Sequence, residues 1–74
     1  MLELKMENGT PLGHTFGGKT RLEAAHVALV NHGIEGIVGM LPIATWEEDV
    51  FALWAVATDG ALIKTGMVVV GKEG

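Results

Sequence analysis

The sequence contains no cysteine, and serine, tyrosine and glutamine are also absent from its 74 residues. Without cysteine there is no disulfide framework, no thiolate ligand for a metal ion and no thiol nucleophile. Without serine there is no Ser-His-Asp triad, and the only aliphatic hydroxyl groups belong to six threonines. Because these absences remove the usual nucleophiles, we expect no catalytic residues and a protein that is not an enzyme.

Charge is scarce as well, since only 19% of the residues are charged and the net charge is −4. The five basic residues are scattered, so no stripe exists that could follow the phosphates of a nucleic acid. Glu47-Glu48-Asp49 is predicted to be a solvated turn. No apolar run approaches the ~18 residues that span a bilayer, and the alternating start is not typical of a signal peptide. We therefore expect a cytoplasmic location, with neither nucleic acid nor membrane as a partner.

Hydrophobic residues, in contrast, make up 49% of the chain, and there are 11 glycines. The length indicates one domain over residues 1–74. A domain of this size buries only about 60% of the surface that its unfolded chain exposes. One copy therefore has more apolar side chain than it can easily hide, which favours self-association, with a homodimer as the simplest form.

The N-terminal residues alternate between apolar and charged side chains, which predicts a half-buried strand over residues 1–7. Asn8-Gly9 then predicts a type I′ hairpin turn, because this dipeptide tolerates positive φ at both positions. Residues 10–16 can return as a second strand, which Pro11 restricts to a sheet edge.

A capping box, Thr20-Arg21-Leu22-Glu23, predicts a helix from Arg21 to about His32 that ends at Gly33 as a left-handed C-cap. The apolar stripe of this helix is predicted to consist of Leu22, Ala25, His26, Leu29 and Val30. Because His26 lies within the stripe, we expect a buried neutral imidazole that makes assembly sensitive to acid. His26 and His32 lie about 240° apart around a helix, so they cannot share a metal ion, and no metal site is expected.

The C-terminal half has the composition of strands, in the ranges 37–44, 50–57 and 62–70, with Asp59-Gly60 as a second hairpin turn. The prediction is an α+β fold of order ββαβββ, with one helix (about 21–32) packed on a three-stranded antiparallel meander. An alternative, ββαβαβ, places a second helix at about 46–57, because Thr45 and Glu48 also fit a capping box.

One segment matches a catalogue motif, because Gly13-His14-Thr15-Phe16-Gly17-Gly18-Lys19-Thr20 has the pattern G-x-x-x-x-G-K-[ST]. This segment resembles the Walker A loop of P-loop nucleotidases. The resemblance implies that Lys19 meets the β- and γ-phosphates and Thr20 the metal ion, with Asp59 as the acidic partner. It covers eight residues, however, and the parent fold requires a parallel sheet with crossover helices. Two interpretations remain: a ligand-binding loop at Gly17, Gly18, Lys19 and Thr20, and a glycine hinge between hairpin and helix.

The range 50–57 is apolar on both faces when it is read as a strand, which is typical of strands that are covered on both sides. One helix covers one face only, so the other face is expected to pack against a second copy. The predicted interface residues are Trp46, Phe51, Trp54, Val68 and Val70. The sequence thus predicts a small non-catalytic interaction or inhibitor-type accessory protein, with a profile like those of phages and mobile elements. It needs no cofactor and binds itself and another protein. The alternative is a small phosphate- or nucleotide-binding module that uses the loop from Gly13 to Thr20.

Overall fold

The computed structural model describes all residues from 1 to 74 and contains five strands and one helix. The elements in chain order are β1 (Leu2–Met6), β2 (Pro11–Phe16), α1 (Arg21–His32), β3 (Ile37–Ala44), β4 (Val50–Ala57) and β5 (Leu62–Gly71). This α+β arrangement confirms the predicted ββαβββ order. The alternative second helix does not form, because β4 occupies residues 50–57 and 46–49 lie in the preceding turn. A strand lets one face of this apolar segment pack on the core, whereas a helix would be apolar all round.

All five strands form one antiparallel sheet in the order β2-β1-β5-β4-β3. The meander β3-β4-β5 is formed as predicted, and β1 joins it by pairing with β5. The two edge strands each contain a proline, Pro11 in β2 and Pro42 in β3. Proline lacks a backbone N–H and is therefore tolerated mainly in edge strands. Helix α1 packs on one face of the sheet, mostly over β3. It does not have the length and apolar character that crossing a membrane requires.

The N-terminal hairpin turn at Asn8 and Gly9 is present, but it is not of the predicted type I′. Gly9 has φ = +93°, whereas Asn8 does not have a positive φ. The Asn8 side chain instead accepts a hydrogen bond from the Thr10 N–H at 3.0 Å. The Met6 N–H also reaches the Thr10 carbonyl at 2.8 Å. This is the pattern of a three-residue loop that needs a left-handed glycine at one position only.

The predicted capping box opens α1: the Thr20 hydroxyl accepts from the Glu23 N–H, and the Glu23 carboxylate accepts from the Thr20 N–H, both at 3.1 Å. The helix ends at Gly33, as expected, but not in a left-handed conformation, because Gly33 has φ = −68°. Its N–H donates to the Leu29 carbonyl at 2.8 Å. A Cβ at this position would collide with the same carbonyl oxygen. Gly33 is therefore required by close packing and not by backbone conformation.

The hydrophobic core lies between α1 and the sheet. Its largest fully buried side chains are Leu2, Leu4, Leu53 and Val69, and α1 contributes Ala24, Ala25 and Ala28. The predicted apolar stripe of α1 was therefore partly wrong, because Leu22 is 61% exposed and Val30 is exposed as well. Alanine side chains are short, so the helix axis can lie close to the sheet. Val27 and Leu29 flank this alanine contact and are partly buried.

Candidate functional site

The segment that matches the phosphate-loop pattern does not form a single loop. Its first half lies in β2, where His14 pairs with Leu4 and Thr15 with Glu3. Because these residues belong to a sheet ladder, their backbone amides do not converge on one point. Gly17 and Gly18 form the turn that follows the strand. The segment therefore serves as the hinge between hairpin and helix, and ligand binding by Gly17, Gly18, Lys19 and Thr20 stays a prediction.

The start of α1 also carries an anion of its own. Hydrogen bonds from the Thr20 backbone and side chain, with the nearby charge of Lys19, lower the pKa of the Glu23 carboxyl. The Lys19 ammonium lies 3.9 Å from the Glu23 carboxylate. An anionic side chain is favoured at a helix N-terminus for the same reason that a phosphate is. Glu23 thus already pairs with the Lys19 ammonium and accepts the Thr20 N–H, two groups that a bound phosphate would use.

The histidines are arranged differently from the prediction. His26 is exposed on α1, so the expected buried imidazole was wrong. The reason is the alanine contact described above, which turns the side that bears Leu22 and His26 away from the core. The fold instead brings His14 of β2 and His32 of α1 together, with ring centroids 5.4 Å apart. No group of three potential metal ligands surrounds this pair or any other part of the chain.

The second face of the sheet has no helix or loop over it. Its apolar residues, which we call the open face, are Leu41, Ile43, Val50, Ala52, Trp54, Val56, Val68 and Val70. Side chains alternate across a strand, and Leu53 and Val69 point to the core, so their neighbours point to the other side. Val68 is the one buried residue outside the core cluster, because adjacent side chains of the open face shield it.

Trp46 stands beside this open face with 92% of its surface exposed. It lies in the β3–β4 turn, which the Thr45 hydroxyl closes by donating to the Val50 carbonyl at 2.8 Å. Between Trp46 and the open face is a depression of about 340 Å³. Its floor consists of Val50, Ala52, Val68 and Val70, and Lys5 and Glu7 lie at its border. An exposed indole next to a concave apolar floor is the arrangement found at binding hot spots.

Of the five predicted interface residues, four lie on or beside the open face. Phe51 does not, because it alternates with Val50 and Ala52 and points to the helix side. There the Arg21 guanidinium lies 4.2 Å from the centroid of the Phe51 ring. Arg21 also lies 3.6 Å from the Asp49 carboxylate and 3.3 Å from that of Glu73. Phe51 is therefore part of the contact with Arg21 at the end of the core. The alternation of side chains along the strand already indicated that Phe51 lies on the opposite face from Val50 and Ala52.

Most of the charges next to the open face form ion pairs. Glu7 and Lys64 form an ion pair at 2.9 Å, and Glu3 and Lys5 one at 3.8 Å. The register places Lys64 opposite Trp54, and Glu3 and Lys5 opposite Val70 and Val68. The chain's excess of negative charge comes from other residues, among them the exposed residues Glu35, Glu47 and Glu48, and of these three Glu47 lines the depression beside Trp46.

A second apolar groove, of about 560 Å³, runs between α1 and β3. Leu22, Val27 and Val38 line it, together with His26 and the Lys19–Glu23 ion pair. This groove lies between two elements that already pack on each other. It lacks an exposed tryptophan, tyrosine or phenylalanine side chain.

No protein-family model matches the chain, and no curated protein or solved structure is similar enough to count as a match. The function must therefore be argued from the surfaces described above.

Proposed function

We propose that the chain is a small non-catalytic interaction protein of the accessory or inhibitor type. Its working surface is the open face together with Trp46, its partners are proteins, and its location is the cytoplasm. The observation that carries this proposal is the combination of an uncovered apolar sheet face and an indole that is 92% exposed.

The size of the surface supports this function. The open face spans three strands and about seven residues along β4. Strands lie about 4.8 Å apart and rise about 3.4 Å per residue, so the open face covers roughly 350 Å². The largest contiguous apolar patch on a typical monomeric protein covers about 300–600 Å² and is often a functional surface. An apolar surface of this size, with Trp46 at its border, is costly to leave in water and is most readily explained by a bound partner.

The edges of the sheet support a face and not a strand edge as the binding surface. Both edge strands contain a proline, and β2 also contains Gly13 with φ = +78°. These features hinder the addition of a further strand. A partner is therefore expected to pack on side chains, as in a sandwich, and not to extend the ladder of backbone hydrogen bonds.

Affinity capture from an extract of the source cells tests the proposal. The bait is the tagged wild-type chain, with Trp46→Ala and Ile43→Glu as open-face variants and Leu22→Glu as the matched control on α1. All three positions are at least partly exposed, so the variants should fold. Mass spectrometry should identify a protein that wild type and control retain and both open-face variants lose.

A captured protein that depends on Leu22 and not on Trp46 or Ile43 would contradict the proposal. Lys19→Ala adds a further arm. The predicted phosphate module requires this ammonium, so its replacement should abolish a phosphate-dependent interaction and leave an interaction through the open face unchanged. No observation favours the phosphate module, because the Glu23 carboxylate already accepts the hydrogen bond from the Thr20 N–H at the start of α1.

A further inference from the structure

We propose that the occupant of the open face is a second copy of this chain, packed face to face about a two-fold axis. This inference rests on the proposed function and names the partner of the same surface. In such a dimer the same patch meets itself, so every feature of the patch must be compatible with its own copy.

Electrostatics allow this pairing. The chain as a whole carries a net charge of −4, and two copies therefore repel each other when they approach at random. Next to the open face, however, the Glu3–Lys5 and Glu7–Lys64 pairs cancel. Of the exposed acidic residues without a basic partner, Glu47 lines the depression beside Trp46, whereas Glu35 and Glu48 do not. Two copies that meet on the open face therefore bring together one unpaired carboxylate from each depression, which is a small part of the total charge.

The area is sufficient for a stable dimer. The open face contributes roughly 350 Å² per copy from the strand geometry. An aromatic side chain adds about 150–250 Å² when it is buried, which applies to Trp46. The total for two copies then reaches about 1,100 Å², just above the roughly 1,000 Å² that a biological interface needs. Without Trp46 the total falls to about 700 Å², which is below the size of a specific interface.

The depression beside Trp46 explains how the two surfaces fit. Two flat sheet faces that pack about 10 Å apart fill the space between them with side chains. Here Val50, Ala52, Val68 and Val70 form a concave floor, and Trp46 stands at its border. In the two-fold dimer each Trp46 becomes buried at the interface, where an aromatic anchor and its apolar floor form a hot spot.

Analytical ultracentrifugation of the purified chain, from about 1 μM to 1 mM, tests the dimer. Wild type should sediment with twice the chain mass of 7.8 kDa in the upper part of this range. Trp46→Ala and Ile43→Glu should each weaken the dimer by about thirtyfold or more, as expected for a hot spot. Leu22→Glu, the control on α1, should leave it unchanged. Far-UV circular dichroism confirms that each variant keeps the fold.

Fluorescence provides an independent readout. Both tryptophans of the wild-type chain, Trp46 and Trp54, lie on or beside the open face, so the emission should shift to shorter wavelength as the concentration rises through the dimer transition, and Leu22→Glu should show the same shift. A wild-type chain that stays monomeric at 1 mM overturns the inference, as does a dimer that Leu22→Glu breaks and Trp46→Ala does not. If the purified chain is monomeric while capture of another protein depends on Trp46 and Ile43, the proposed function stands and only the dimer fails. If capture is also indifferent to these residues, both fail.

Discussion

In strands β3, β4 and β5 both faces of the sheet are apolar in sequence, but the chain covers only one of them. On the helix side, Leu53 of β4 is fully buried beneath the alanines of α1. On the opposite side, Trp54 is only partly buried and Leu41 is 41% exposed, with nothing above them. On the helix side, α1 covers the sheet and completes the core, whereas no element of the chain covers the open face. Because domains bury apolar faces between layers, we propose the open face as the surface through which this molecule meets another.

The largest expected effect is on the free energy of unfolding, which should fall much more for a truncation on the helix side than for one on the open face. Leu53→Ala should lower the free energy of unfolding by about 2–5 kcal/mol, because it leaves a cavity in the core. Leu41→Ala, the matched change on the open face, should cost less than about 1 kcal/mol at micromolar concentration, where the chain is mainly monomeric. Urea unfolding followed by circular dichroism measures both. Equal losses of unfolding free energy for the two variants at high dilution would show that the open face is covered within a single copy. The proposed difference between the two faces would then be wrong.

A smaller effect on the free energy of unfolding is expected at the end of the core where Arg21 contacts Phe51. Arg21 lies over Phe51 and donates to the Gly71 carbonyl at 3.0 Å, and its Nε has no hydrogen-bond partner. Arg21→Lys keeps the positive charge but loses the planar donor group, so the free energy of unfolding should fall by about 1–2 kcal/mol. Lys72→Met, at an exposed position, serves as the control. An unchanged urea midpoint for Arg21→Lys would mean that the charge alone closes this end of the core.

The smallest effect concerns the start of α1 and is seen through pH. Because the pKa of Glu23 is lowered in the fold, its ionised form stabilises the protein at neutral pH. This contribution is lost as the pH falls through the folded-state pKa. Glu23→Gln should therefore lower the melting temperature slightly at pH 7, and the difference from wild type should shrink toward acidic pH. Glu48→Gln, at an exposed turn position, should change little. A pH-independent difference would exclude the carboxylate charge as the cause.

Local patterns predicted most of the architecture. The alternation in residues 1–7, the Thr20–Glu23 capping box and the two glycine-containing hairpin turns correctly indicated where strands and helix begin and end. Each of these signals depends on neighbours within a few residues, so it can be read from the sequence. The strand at 50–57 was correctly preferred over a helix, because its apolar residues do not leave a polar side.

The errors concern contacts between elements. The helical periodicity of α1 fits two overlapping stripes, one centred on Leu22 and His26 and one on Ala24 and Ala28. Hydrophobicity favoured the larger residues, but the space above the sheet admits only the smaller ones. Phe51 was assigned to the interface by its size, although strand alternation places it beside Arg21. The His14–His32 contact joins residues that no local pattern connects.

The sequence by itself determined the class of the fold, the order of its elements and the surplus of apolar side chains, because propensity, capping and alternation act over short distances. Only the tertiary structure decided which face of the sheet α1 covers. That choice depends on the pairing of β1 with β5 and on the close approach of the alanine stripe, which are long-range packing events. The same choice left Trp46, Trp54 and Val70 on the uncovered side and made the surplus a defined surface.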